Sequence, residues 1–438
     1  MLFRASLTSA LLLAVACGGA TSSEPGSSSG SAKPAPSTTP TTTPTAAPTT
    51  PAPVRPVVEP QPPIGAFTPT VSTNDVSILY PLPEAGTAAD YVPASETTNH
   101  GELLPRAALD VALGGSSGRL EKTDGLHPSG YDALRLVSLR LDPCAARGNA
   151  GCHSEVRAVF QALYQKTQET PEDPQLGLAA TDGGVHVMYD VPDDELVVMT
   201  KEILTLKKAN GDATVDTLGP HPILASQGLG GSFAAGLRKI VRFHLGADRA
   251  TRITVFDHNF NRESDGWTFG VFDRVGSAFV AADIPVTKEK RQMVSGSPNV
   301  GTLTNTFVDG GDTGTVDRVD ALVTYERARP GQPATPAMQS AMAAALRVQN
   351  PTVHSAETMD CANCHLAEGA RRIGEATFGL STASAFQHAR SLAHVDERTS
   401  VTNLHAFGYL HRQVSIMQRT ANESVIVAER LEGRITPR

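Results

Sequence analysis

The stretch TDGGVHVMYDVPDDELVVMTKEILTL, Thr181 to Leu206, places a strand and a helix side by side and decides the fold class. Thr181-Asp182-Gly183-Gly184 reads as a turn, and Val185 to Val191 follows as a strand rich in β-branched and aromatic residues. Asp193 then caps a predicted helix whose apolar positions, Leu196, Met199, Ile203 and Leu206, recur three and four apart, so that one stripe faces a core.

Ser232 caps a second predicted helix with Phe233, Leu237, Ile240 and Val241 on one side. Ile253–Phe256, Trp267–Phe272 and Phe279–Ala282 read as three strands, and the run Leu134–Leu141 before Pro143 as another. No regular strand–helix–strand rhythm appears, so an α+β fold with an antiparallel sheet is expected. Near the C-terminus, Thr335 caps a helix that starts with Pro336 and runs to Val348. Two more helices are predicted, from Ser384 to Val395 and from Asn422 to Gly433. The expected organisation is a larger mixed α/β domain over 64–334, whose own role is not readable from the residues, and a smaller, mostly helical region over 335–438.

The 438 residues carry 45 acidic and 37 basic side chains, a formal charge of −8, with no basic block of the kind that binds nucleic acid. Met1 to Ala16 opens with one cation, Arg4, ahead of a short apolar stretch, the pattern of an export signal and too short to span a bilayer. Residues 18–63 are built almost wholly from Ser, Thr, Pro, Ala and Gly, a composition that cannot offset the entropy of ordering and favours an extended tether.

Five cysteines is an odd number. Leu13-Ala14-Val15-Ala16-Cys17 resembles the lipobox of bacterial lipoproteins, which implies acylation of Cys17 and a lipid anchor in the cell envelope. The remaining four fall into two pairs. Cys144 and Cys152 flank a Gly/Asn-containing insert, and a disulfide at the base of that loop is expected in an oxidising compartment. Cys152-His153 lacks the spacing for a second haem.

The other pair stands in Cys361-Ala362-Asn363-Cys364-His365, a C-x-x-C-H string. It resembles the haem-attachment site of c-type cytochromes. The resemblance implies haem c held through Cys361 and Cys364, His365 as an axial iron ligand, and a cytochrome-c-like helical region around them. A second ligand should lie further on, among Met417, His405, His411, His388 and His394. Met417 falls 52 residues beyond His365 (417 − 365), a separation comparable to that in small cytochromes, although Gln418 stands where that family has Pro. His405 sits in Asn403-Leu404-His405-Ala406-Phe407-Gly408-Tyr409, whose residues could wall a pocket. An iron left five-coordinate would permit peroxide chemistry. Redox-active thiols, a zinc site and a plain local disulfide are the other readings of the motif, the first disfavoured by the polar run Ser355–Asp360 that precedes it.

Three further strings carry less. Gly114-Gly115-Ser116-Ser117-Gly118 matches a nucleophile-elbow pattern without the helix that should follow, and reads as a turn. Asp257, Asn259, Asn261 and Asp265 are spaced like a calcium loop but lack its closing glutamate, as do Asp309, Asp312 and Asp317. The expected function is therefore single-haem electron transfer to an unknown redox partner by a lipid-anchored protein. A haem enzyme with an open iron site, and a non-redox surface lipoprotein, are the alternatives.

Overall fold

In the computed structural model the strands in chain order are β1 Ser77–Leu79, a small hairpin of β2 Thr97–Thr98 and β3 Gly101–Glu102, β4 Leu134–Ala146, β5 Cys152–Lys166, β6 Gly177–Ala180, β7 Gly184–Asp190, β8 Ala250–Asn261, β9 Ser264–Val275, β10 Ala278–Ala281, β11 Arg291–Ser295, β12 Phe407–Leu410 and β13 Gln413–Ile416. The helices are α1 Thr73–Val76, α2 Arg106–Gly115, α3 Asp193–Ala209, α4 Pro222–Gln227, α5 Ser232–His244, α6 Asp320–Val323, α7 Pro336–Val348, α8 Cys361–Phe378 and α9 Gln418–Ile435. The structure describes residues 70–115, 130–146, 151–168, 176–261, 264–295, 317–323, 333–398 and 403–436. Cys17, the tether, Ser116–Gly118, Asp309 and Asp312 lie outside them. Among the described residues, no helix is long and apolar enough to cross a membrane.

The fold is mixed α+β around one large antiparallel sheet of order β1-β4-β5-β7-β8-β9-β10, with β6 paired to β5 and β11 to β9. Alternation explains its two faces. The cross-strand row Leu139–Ala158–Val187–Ile253–Phe272 enters a core shared with Leu196, Met199 and Ile203 of α3 and Phe233, Leu237 and Ile240 of α5. On the other face, Phe256, Trp267 and Phe269 join a second core with α6, α7 and α8. Both cores draw on residues before and after position 335: the first also takes in Phe407, Tyr409, Ile416 and Leu431. All described residues fall in one compact unit, Val54–Arg438.

The strand and the helix read from Thr181–Leu206 and the helix read from Ser232 stand as expected, with helix caps one residue earlier, at Pro192 and Gly231. The helix capped by Thr335 is also present, its side chain accepting a hydrogen bond from Met338 N at 3.2 Å. Two expectations fail. Ser384–Val395 is irregular, with turns, bends and one bridging residue at His394, rather than helical. Its amides are taken by local side chains, with Arg390 N donating to His388 Nδ1 and Ala393 N to Ser391 Oγ, and by Leu218, whose carbonyl accepts from Val395 N at 2.7 Å. The terminal helix starts at Gln418, not Asn422, and continues past Gly433 to Ile435. Its first amide is satisfied from outside, Gln418 N donating to Glu368 Oε2 at 3.2 Å, while Asn422 turns inward and donates to Gln349 O at 2.8 Å.

Candidate functional site

Helix α8 begins at Cys361 because Asp360 caps it: the Asp360 carboxylate accepts from Asn363 N at 2.8 Å and from Asn363 Nδ2 at 2.7 Å. Gln292 of β11 ties this first turn to the sheet, donating through Nε2 to Asp360 Oδ1 at 3.0 Å and accepting from Ala362 N at 2.9 Å. The middle residues of the motif, Ala362 and Asn363, are therefore fully buried, and Cys361, Cys364 and His365, at positions i, i+3 and i+4, share the face left half-buried.

That face opens onto a pocket of about 1050 Å³, its open mouth included, lined by Cys361, Cys364, His365 and Met417 together. Its floor is the sheet. Two cross-strand rows, Val159–His186–Thr254–Val271 and Arg140–Arg157–Met188–Arg252, all line it. Its side wall is the start of α9, where Met417 occupies the N-cap position and is 2% exposed.

The His365 ring is fixed by its surroundings. Nδ1 donates to the Leu404 carbonyl at 2.5 Å, which leaves Nε2 as the nitrogen with the free lone pair. The ring stacks on Phe256 at 5.6 Å between centroids and 10° between planes, and packs against Phe269 at 5.0 Å. Burial lowers its pKa, opposed by the Leu404 hydrogen bond, so the imidazole is neutral at physiological pH.

His405 lies behind the same phenyl ring, edge-on to Phe256 at 5.2 Å, and does not line the pocket. Its Nδ1 donates to Asn403 Oδ1 at 2.9 Å, and its Nε2 is buried with no hydrogen-bond partner among the described residues. Burial pushes its pKa down to about 4. His388, which pairs with Glu429 at 3.2 Å, and His394 and His411 are also absent from the pocket lining.

His186 is a pocket residue that sequence reasoning passed over. Burial, reinforced by Arg157, lowers its pKa to about 3. The signal was available: with Val185, Val187 and Tyr189 turned into one core, His186 had to face the other way.

Cys144 and Cys152 are joined as a disulfide with Cα atoms 4.5 Å apart. Cys361 and Cys364 are unbridged, and burial pushes both thiols up, the reverse of what a reactive dithiol needs. Among the described residues, the group spaced to hold a metal ion is His153, Glu155 and Asp190, none of which lines the pocket of the motif. Asp317 is ion-paired with Arg347 and His354. Asp257, Asn259 and Asn261 lie at the end of β8 and Asp265 near the start of β9. The chain matches no family model, no curated protein and no solved structure.

Proposed function

We propose that the chain is a lipid-anchored, extracytoplasmic c-type haem protein that transfers single electrons to a redox partner. The observation that carries this reading is that both thiols of the C-x-x-C-H string, the adjacent imidazole and the Met417 thioether line one pocket. When bound, the haem would supply reversible one-electron chemistry. Cys361 and Cys364 would hold it covalently. His365 would be the proximal ligand, a role supported by the Nδ1–Leu404 hydrogen bond, since an iron-bound imidazole is typically oriented by a carbonyl on its other nitrogen.

Met417 is the second ligand in this reading, because it shares the pocket with His365 and His405 does not. A buried thioether of this kind raises a haem potential relative to a second imidazole. Helices α7, α8 and α9 then act as the cytochrome-c-like helical region, with one departure from a free-standing small cytochrome: the sheet contributes the pocket floor. Phe256 and Phe269 hold the proximal imidazole, and Val159, Met359 and Phe407 add apolar wall that excludes water.

The test is expression of the full chain with a cytochrome c maturation system, followed by haem staining under denaturing conditions and intact mass. Retention of stain and a mass increment of one haem is the expected result. Absence of both after successful maturation of a control cytochrome rejects the reading.

A further inference from the structure

Arg140 on β4 and Arg157 on β5 are direct cross-strand neighbours on the pocket face of the sheet. Two like charges so placed repel. Each is partly answered: Arg140 by Glu423, Arg157 by Glu155 with Nη2 donating at 3.0 Å. Yet the Nε of each is buried without a hydrogen-bond partner among the described residues, and the Arg140 side chain is only 9% exposed. A third guanidinium, Arg419, reaches Glu423 from α9 at 2.6 Å. Burial would raise the Glu423 carboxyl, but Arg140, Arg419 and Arg157 hold it down at about 2, and Asp142, 4.0 Å from Arg140, and Glu155 are the other acids of the cluster.

These residues stand between two spaces. Arg140, Arg157, Arg419 and Glu423 line the pocket of the C-x-x-C-H motif and also a second cavity of about 820 Å³, mouth included, whose far wall carries Arg430 and the Cys144–Cys152 disulfide. None of Cys361, Cys364, His365 or Met417 lines this second cavity.

We propose that Arg140 and Arg157 form a carboxylate-binding site at the junction of the two cavities, with Arg419, itself held by the Val348 and His354 carbonyls and Glu423, adding charge beside them. The idle Nε–H of Arg140 and that of Arg157 are charged donors, each able to give a carboxylate oxygen one charge-assisted hydrogen bond. Asp142 and Glu423 in the same lining favour an occupant of one or two negative charges over a polyanion. The carboxylate could belong to a free organic acid or to a propionate of the haem, and the second source alone rests on the function proposed above.

Calorimetric titration of the haem-free full-length chain with succinate, and with neutral succinamide as control, tests the site without requiring haem. Saturable succinate binding without succinamide binding is expected. Arg157→Gln should weaken it at least tenfold, with partial recovery in Arg157→Lys. Arg430→Gln, on an exposed residue whose loss spares the core, should weaken it two- to fivefold and carries the test if Arg157→Gln does not fold. Repeating the titration on the haem-loaded chain separates the sources: retained binding identifies a free acid, lost binding a propionate in the same place, and either supports the site. No succinate binding by the haem-free chain, or equal binding of succinamide, overturns it. Because haem attachment is read by mass, its failure stays distinct from failure of the carboxylate site.

Discussion

The two cysteine pairs of this chain meet different fates, and the backbone beneath them accounts for it. Cys144 and Cys152 sit where the β4–β5 hairpin ends, with Cys152 paired in register to Ala146, so the ladder brings the two Cα atoms to 4.5 Å. Cys361 and Cys364 sit one helical turn apart on α8, their turn clamped by Asp360 and Gln292, and both look into a pocket. A hairpin presents two thiols to each other. A capped helix presents two thiols side by side to whatever fills the space above them.

The largest expected difference between the pairs is in cofactor retention. Cys361→Ala with Cys364→Ala should abolish covalent haem staining completely, and Cys144→Ala with Cys152→Ala should leave it intact. Equal loss from both double variants would erase the distinction. Next in size is Glu368→Ala. Glu368 is 1% exposed and accepts from Gln349 Nε2, Arg371, Arg372 and Gln418 N, binding α8 to both neighbouring helices. Removing it should cost about 3–5 kcal/mol, as breaking a buried ion pair does, measured by urea unfolding.

Opening the disulfide should cost about 2–3 kcal/mol, the loop-closure entropy of a short loop, read in the same urea experiment. Smaller still is the pH dependence of the haem-free chain. His186, lowered to about 3 by burial, binds a proton less readily when folded than when unfolded, where its pKa is about 6.5. Its contribution is therefore complete above pH 6.5 and is lost as pH falls from 6.5 towards 3. The urea midpoint should drop between pH 7 and pH 4.5, and His186→Gln should flatten that slope. The subtlest change is spectral: Met417→Ala should lower the reduction potential and remove the red absorption of ferric–thioether ligation, with His405→Ala leaving both unchanged. The reverse pattern would move the second ligand to His405.

Much of the sheet was legible because its alternation is clean: Val185, Val187 and Tyr189 face one core and announce β7, and the Leu196–Met199–Ile203 stripe announces α3. The disulfide was legible from spacing and an expected oxidising compartment. Strand β5 was harder to see, since Arg157 and Gln161 interrupt an otherwise apolar run. Ser384–Val395 misled because its apolar positions fit a helical stripe, whereas its Ser and His side chains compete for the amides a helix would use. The start of α9 was hidden because its acceptor, Glu368, arrives from another helix. At the candidate site, the motif itself is local and readable, but the floor beneath it is not. His186, Arg157 and Arg252 become neighbours only through the strand register.

That floor and its covering come from distant parts of the chain: strands spanning 134–275 supply one, residues 356–423 the other. If a porphyrin is joined to Cys361 and Cys364, the joining enzyme needs the motif before α8 settles against Gln292 and the sheet. The contact of Ala362 with Gln292 joins residues 70 positions apart, and contacts between distant residues are slow to form. On that reading the interval before α8 docks is when the thiols would be most open to the joining enzyme, and a variant that docked α8 earlier would be expected to carry less haem.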